Sequence, residues 1–102
     1  MGTLTKVANK MDLPDGKAVS VTVGSKHIAV FNVGGRFYAI DDECTHAGGP
    51  LSEGEVQGTI VTCPWHGATF DVMTGGVLSE PAPDNVGTYK VVVEGEDIKV
   101  EV

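Results

Sequence analysis

Apolar positions along this chain recur with a period of two, and no window shows the i, i+3, i+4, i+7 spacing of a helix over three turns. From Lys17 to Val23, Val19, Val21 and Val23 fall on one face and Ser20 and Thr22 on the other. Two further strand-like runs, His27 to Val33 and Arg36 to Asp41, meet at Gly34-Gly35, a dipeptide suited to the positive φ angles of a hairpin turn. Thr59 to Cys63 is a short β-branched run, and Tyr89 to Glu94 with Asp97 to Val102 form a last hairpin around Gly95-Glu96. Short strands punctuated by Gly and Pro predict an all-β fold, a small antiparallel β-barrel or sandwich.

The middle of the chain breaks this rhythm. From Asp42 to about Asp84 it is rich in Gly, Pro, Ser and Thr and poor in strand-length runs, which predicts a loop-dominated insertion. Long loops in small domains are functional or disordered, and the presence of Trp65, Phe70 and both cysteines argues for function. With 102 residues the chain is expected to be a single domain, 1–102, carrying an insertion at about 42–84.

Composition narrows the classes. A net charge of −7 disfavours nucleic acid and an anionic membrane surface as partners, since both need a basic face. No apolar run approaches the length that spans a bilayer, and the first residues, Met1 to Lys6, have neither a signal peptide's apolar core nor the myristoylation pattern. Two cysteines are too few for a disulfide-stapled secreted scaffold. The expectation is a cytoplasmic protein. Charge is also unevenly spread: between Arg36 and Lys90 there is no Lys or Arg, and eight acidic residues (Asp41, Asp42, Glu43, Glu53, Glu55, Asp71, Glu80 and Asp84) give that stretch −8.

The chemistry lies in Cys44-Thr45-His46 and Cys63-Pro64-Trp65-His66, a C-x-H and a C-x-x-H separated by sixteen residues. Both cysteines and two of the three histidines fall in this pattern, and thiolate with imidazole is a metal-binding donor set. Gly48-Gly49-Pro50 and Gly67 flank the pairs and permit tight turns. Two metals suit these donors. Structural zinc takes Cys₂His₂, although its pairs usually run Cys with Cys and His with His. A binuclear iron cluster with both cysteines on one iron and both histidines on the other suits the mixed pairs. His27 is expected to be an exposed strand residue, and Met11 and Met73 to pack rather than ligate.

With those motifs, continued through Gly67, Phe70-Asp71 and Thr74-Gly75, the chain resembles Rieske-type [2Fe–2S] ferredoxins over nearly its whole length. The resemblance implies one Rieske cluster per chain, with Cys44 and Cys63 on the buried iron and His46 and His66 on the outer iron, whose exposed rings form the electron's exit. It also implies that Trp65 and Phe70 shield the cluster or pack, and that Pro81-Ala82-Pro83 is the proline-bearing loop that covers it. Rieske proteins of quinol-oxidising complexes carry a disulfide between the cluster loops; the corresponding positions here hold Gly49 and Trp65. They also carry a Ser and a Tyr that bond the cluster and Cys sulfurs, where this chain has Ala68 and Phe70. Loss of those hydrogen bonds predicts a potential near the low end of the Rieske range of roughly −150 to +300 mV.

The function so implied is one-electron carriage from an NAD(P)H-dependent flavin reductase to a terminal Rieske oxygenase of an aromatic-ring-hydroxylating system, with no turnover of its own and hence no enzyme activity. The alternatives are a carrier for another oxidoreductase, as in nitrite-reductase-like systems, and a structural zinc-binding interaction module. A clustered acidic charge is expected to steer basic redox partners to the cluster end.

Overall fold

The computed structural model describes residues 4–42, 50–64, 67–76, 78 and 86–101. These residues form ten strands: β1 (Leu4–Asn9), β2 (Ala18–Val23), β3 (Lys26–Val33), β4 (Arg36–Asp41), β5 (Glu55–Gln57), β6 (Ile60–Thr62), β7 (Thr69–Asp71), β8 (Thr88–Tyr89), β9 (Val91–Glu94) and β10 (Asp97–Glu101). Single 3₁₀ turns occupy Lys10–Asp12 and Leu51–Glu53, and no α-helix occurs among the described residues. Accordingly, no helix there is long and apolar enough to cross a membrane.

All strand pairs are antiparallel and make three sheets, in the orders β1-β10-β9, β2-β3-β4-β8 and β5-β6-β7. The β3–β4 hairpin turns at Gly34 and Gly35, both at positive φ (61° and 88°), as the dipeptide predicts. Its right-handed strand twist matches such a turn, and a side chain at either position would be strained.

Strand β3 explains how the sheets stack. Five consecutive residues, Ile28 to Asn32, are buried, which is the mark of a strand covered on both faces. Because side chains alternate, Ile28 and Val30 enter one core with Leu13, Ala39, Ile98 and Val100, while Ala29 and Phe31 enter a second with Ile40, Leu51, Val61, Cys63, Ala68, Phe70, Val72 and Val86. The sheet containing β3 is therefore the middle layer. The β1-β10-β9 sheet covers one face, and the segment carrying β5-β6-β7 covers the other. Strand β2 follows the same rule: Val19, Val21 and Val23 pack into the first core, which leaves Ser20 and Thr22 on the opposite face.

Two expectations need correction and one is extended. The insertion carries three short strands, Glu55–Gln57, Ile60–Thr62 and Thr69–Asp71, which make a sheet of their own; only the middle one was anticipated. The predicted strand from Tyr89 to Glu94 is two strands, because the chain leaves the β4 edge after Tyr89 and joins β10 from Val91. Met11 and Met73 do not pack: they are 82% and 51% exposed, in a 3₁₀ turn and in the turn after β7. His27 is exposed as expected, with Nδ1 3.3 Å from the Thr22 hydroxyl.

Candidate metal centre

Of the four predicted ligands the described residues include Cys63; Cys44, His46 and His66 lie outside them, as do Trp65, Gly48-Gly49, Pro81-Ala82-Pro83, Glu43, Glu80 and Asp84. Among the described residues no three His, Cys, Asp or Glu side chains gather as they would around a metal. What the structure does supply is the base on which each ligand segment stands.

Cys63 follows β6 directly. Its N–H donates to the Ala68 carbonyl (2.7 Å), continuing the ladder in which Thr62 pairs with Thr69. The chain leaves this ladder at Pro64 and re-enters it at Gly67, which adopts φ 76°. The Cys63 side chain is 1% exposed within the second core, whereas Pro64, next along the hairpin, is exposed. A buried sulfur beside an exposed Pro64 suits a ligand pair in which sulfur holds an inner iron and imidazole an outer one. Ala68 and Phe70, both fully buried, present methyl and phenyl groups in the same core, so neither side chain can donate a hydrogen bond to sulfur. For Phe70, packing and exclusion of water are one and the same burial.

The segment holding Cys44 and His46 leaves from Asp42 and returns at Pro50. Its two ends meet: the Leu51 N–H donates to the Asp42 carbonyl (3.1 Å) and the Ser52 N–H to Asp42 Oδ1 (2.7 Å). Leu51 is fully buried in the core that contains Cys63. The chain then runs against the second ligand hairpin, for a Cβ on Gly54 would collide with the Thr62 carbonyl, one residue before Cys63. Glu55 pairs with Thr62 in register. The described flanks of both ligand segments accordingly meet at one end of the β5-β6-β7 sheet.

A third segment passes the same end. Leu78 donates its N–H to Thr69 O (2.8 Å), and after the undescribed residues 79–85 the chain is caught again by Asp41. Asp41 Oδ2 accepts from the Gly87 N–H (2.8 Å), Asp41 N–H donates to Gly87 O (2.9 Å), and Tyr89 donates its hydroxyl to Oδ1 (2.6 Å). Burial, the hydrogen bond to Asp41 and the negative charge of that carboxylate push the Tyr89 phenol up to about 12. The Lys26 ammonium lies 5.5 Å from the Tyr89 ring centroid. Neither Asp41 nor Asp42 was singled out as part of the site from sequence; the only hint was their place just before Cys44.

Donor chemistry and burial therefore fit an iron–sulfur group, and comparison with known proteins decides which. Residues 3–90 match the Rieske [2Fe-2S] domain. The chain belongs to the Rieske [2Fe-2S] domain family. It is 46% identical over 91 residues to the 3-phenylpropionate/cinnamic acid dioxygenase ferredoxin subunit of Escherichia coli (strain K12), covering 88% of this chain and 85% of that one. Among solved structures, the ferredoxin of carbazole 1,9a-dioxygenase from Nocardioides aromaticivorans IC177 superposes with a TM-score of 0.92 at 33% identity, covering 96% of each chain. A chain in a complex of reduced oxygenase and oxidized ferredoxin in carbazole 1,9a-dioxygenase superposes with a TM-score of 0.91 at 37% identity, covering 96% of this chain and 92% of that one. This Rieske ferredoxin carries one [2Fe–2S] cluster and is an electron carrier rather than an enzyme.

Proposed function

We propose that this chain passes single electrons from an NAD(P)H-dependent flavin reductase to the terminal Rieske oxygenase of an aromatic-ring-hydroxylating system, in the cytoplasm. The ligands in this reading are Cys44 and Cys63 on the inner iron and His46 and His66 on the outer iron. The observation that carries it is the match of most of this chain to most of the ferredoxin components of such systems, one of them solved together with its oxygenase. A cytoplasmic location is supported by cysteine usage, since both cysteines are committed to thiolate ligation and a reducing compartment keeps them so.

When bound, the cluster supplies one reversible electron near the protein surface. The chain's own residues do the rest. Cys63 reaches inward from the end of β6 into a core of Leu51, Val61, Ala68 and Phe70 that excludes water from the sulfur side. His46 and His66 offer neutral imidazole in place of thiolate, which raises the potential above that of four-thiolate clusters. Glu53 and Glu55, both exposed beside the β5–β6 pair, place negative charge at the same end and favour a partner with a basic face. Asp42 contributes nothing to that attraction at the surface, being 7% exposed.

The test is reconstitution. Purified protein should be red-brown and give a Rieske EPR signal on reduction, and with a flavin reductase and an aromatic-ring oxygenase it should support substrate-dependent NAD(P)H consumption. Colourless, zinc-containing protein would sink the electron-carrier reading. Rapid reduction of another acceptor, with no electron reaching any oxygenase, would sink the ring-hydroxylation context.

A further inference from the structure

Asp42, two residues before Cys44, gathers several of the bonds at the root of the first ligand segment. Asp42 directly follows β4 and continues its alternation, on the face that looks toward the ligand-bearing sheet, as Ile40 does two residues earlier. Its N–H donates to the His27 carbonyl (3.0 Å) and its own carbonyl accepts from Leu51. Its side chain accepts the Ser20 hydroxyl at Oδ2 (2.6 Å) and the Ser52 N–H at Oδ1 (2.7 Å). One residue thereby binds β2, β3 and the 3₁₀ turn Leu51–Glu53. That turn needs an outside acceptor, because the residue at its N-terminal cap is Pro50, which offers no side-chain oxygen.

The side chain is buried, and no ion pair to it occurs among the described residues. The ion pairs among the described residues, Lys6–Asp97 and Lys99–Glu94, both lie in the β1-β10-β9 sheet. No Lys or Arg occurs between Arg36 and Lys90. A carboxyl group taken out of water in this way needs hydrogen bonds to replace its hydration, and here they come from both sides of the loop. A group this expensive to bury at the root of a ligand loop calls for a role.

We propose that Asp42 is the positioning residue of the first ligand loop: it clamps the ends of residues 43–49 to the middle sheet, so that Cys44 and His46 are presented at a fixed span. The inference rests on the reading that Cys44 and His46 are cluster ligands. Its physical content is that the fold, rather than the metal–ligand bonds, meets the entropy of closing this loop. The clamp does by hydrogen bonds what a disulfide between cluster loops would do covalently, and this chain has no spare cysteine for one.

Iron release to a chelator from the cluster-loaded full chain, followed by visible absorbance, tests this beside the apo-protein melting temperature and the EPR spectrum of the reduced protein. Asp42→Ala should release iron about tenfold faster, as expected for lost hydrogen bonds to a carboxylate, with a broadened EPR spectrum. Asp42→Asn, which keeps an acceptor for Ser52 and turns the Ser20 hydroxyl around, should stay within about threefold of wild type. Ile98→Val, in the other core, should lower the melting temperature and leave release unchanged. Release from Asp42→Ala at the wild-type rate overturns the proposal, as does equally fast release from Ile98→Val. Should Asp42→Ala not fold, Ser20→Ala decides: release about threefold faster supports the clamp, and the wild-type rate overturns it. Wild-type protein lacking colour and the Rieske EPR signal overturns the ligand reading itself, whereas coloured wild-type protein beside an unaffected Asp42→Ala overturns the clamp alone.

Discussion

The two outer layers of this molecule face the same middle sheet and are held to it by different means. The β1-β10-β9 sheet has strands of four to six residues, a valine- and isoleucine-rich core, and surface ion pairs at Lys6–Asp97 and Lys99–Glu94. The β5-β6-β7 sheet has three strands of three residues each and a core that includes a cysteine. Strands that short do not stand alone in water. The second sheet depends on Leu51, Val61, Phe70 and Val72 docking against Ala29, Phe31 and Ile40, and on polar bonds from Asp41 and Asp42 at its margins. The lesson is a division of labour: one layer is stable by ordinary packing, and the other is shaped around ligands and borrows its stability.

The largest expected effect separates the layers outright. Cys63→Ser should abolish cluster incorporation, read as loss of colour and EPR signal, while the far-ultraviolet circular dichroism of the remaining sheets persists. Unfolding of the whole chain would break the comparison. Next come the two cores. Phe70→Ala should cost about 3–5 kcal/mol and speed cluster loss, whereas Ile98→Ala, at about 2–5 kcal/mol, should lower the denaturation midpoint and leave the spectrum of the bound cluster unchanged. A spectral change in the Ile98 variant would erase the distinction.

A finer measurement concerns the sulfur side. Ala68→Ser restores a hydroxyl next to the ligand hairpin, and a hydrogen bond worth about 1 kcal/mol to the reduced cluster raises a one-electron potential by about 40 mV. Potentiometric titration of the wild type is expected near the low end of the Rieske range, roughly −150 mV. A value well above zero would contradict the loss of hydroxyl donors at Ala68 and Phe70.

The smallest effect lies at the Asp41–Tyr89 bond. The phenol's folded pKa of about 12 exceeds the ordinary 10, so the folded state keeps a proton that the unfolded chain has shed. This contribution to stability is complete below pH 10 and disappears as the pH rises through 12. Denaturant midpoints measured across that window should fall in the wild type, and fall less in Tyr89→Phe. Equal slopes would place the shift elsewhere.

Legibility in the sequence divides along the same line as stability. The long strands of the middle sheet could be read because alternation over six residues is a pattern, and Gly34-Gly35 announced its turn. Three residues are too few for a period to show, which hid β5 and β7. In β1 the length was sufficient, but the register shifts between Lys6 and Ala8, so the apolar residues Val7 and Ala8 stand side by side rather than alternating. The ligand motifs were legible because thiols and imidazoles carry their chemistry in the residue type. Asp41 and Asp42 were not, because their partners lie as far away as Ser20 and Tyr89 and only the fold brings them within reach.

Strand β3 sends Ile28 and Val30 to one core and Ala29 and Phe31 to the other. The redox centre therefore has no detachable cassette: a graft that moved residues 42–86 into a new host would leave behind the wall it leans on. Anyone transplanting this electron carrier into another scaffold must bring β3 and β4 along, since the buried residues of β3 supply both cores by turns. The part that can be exchanged is the whole chain.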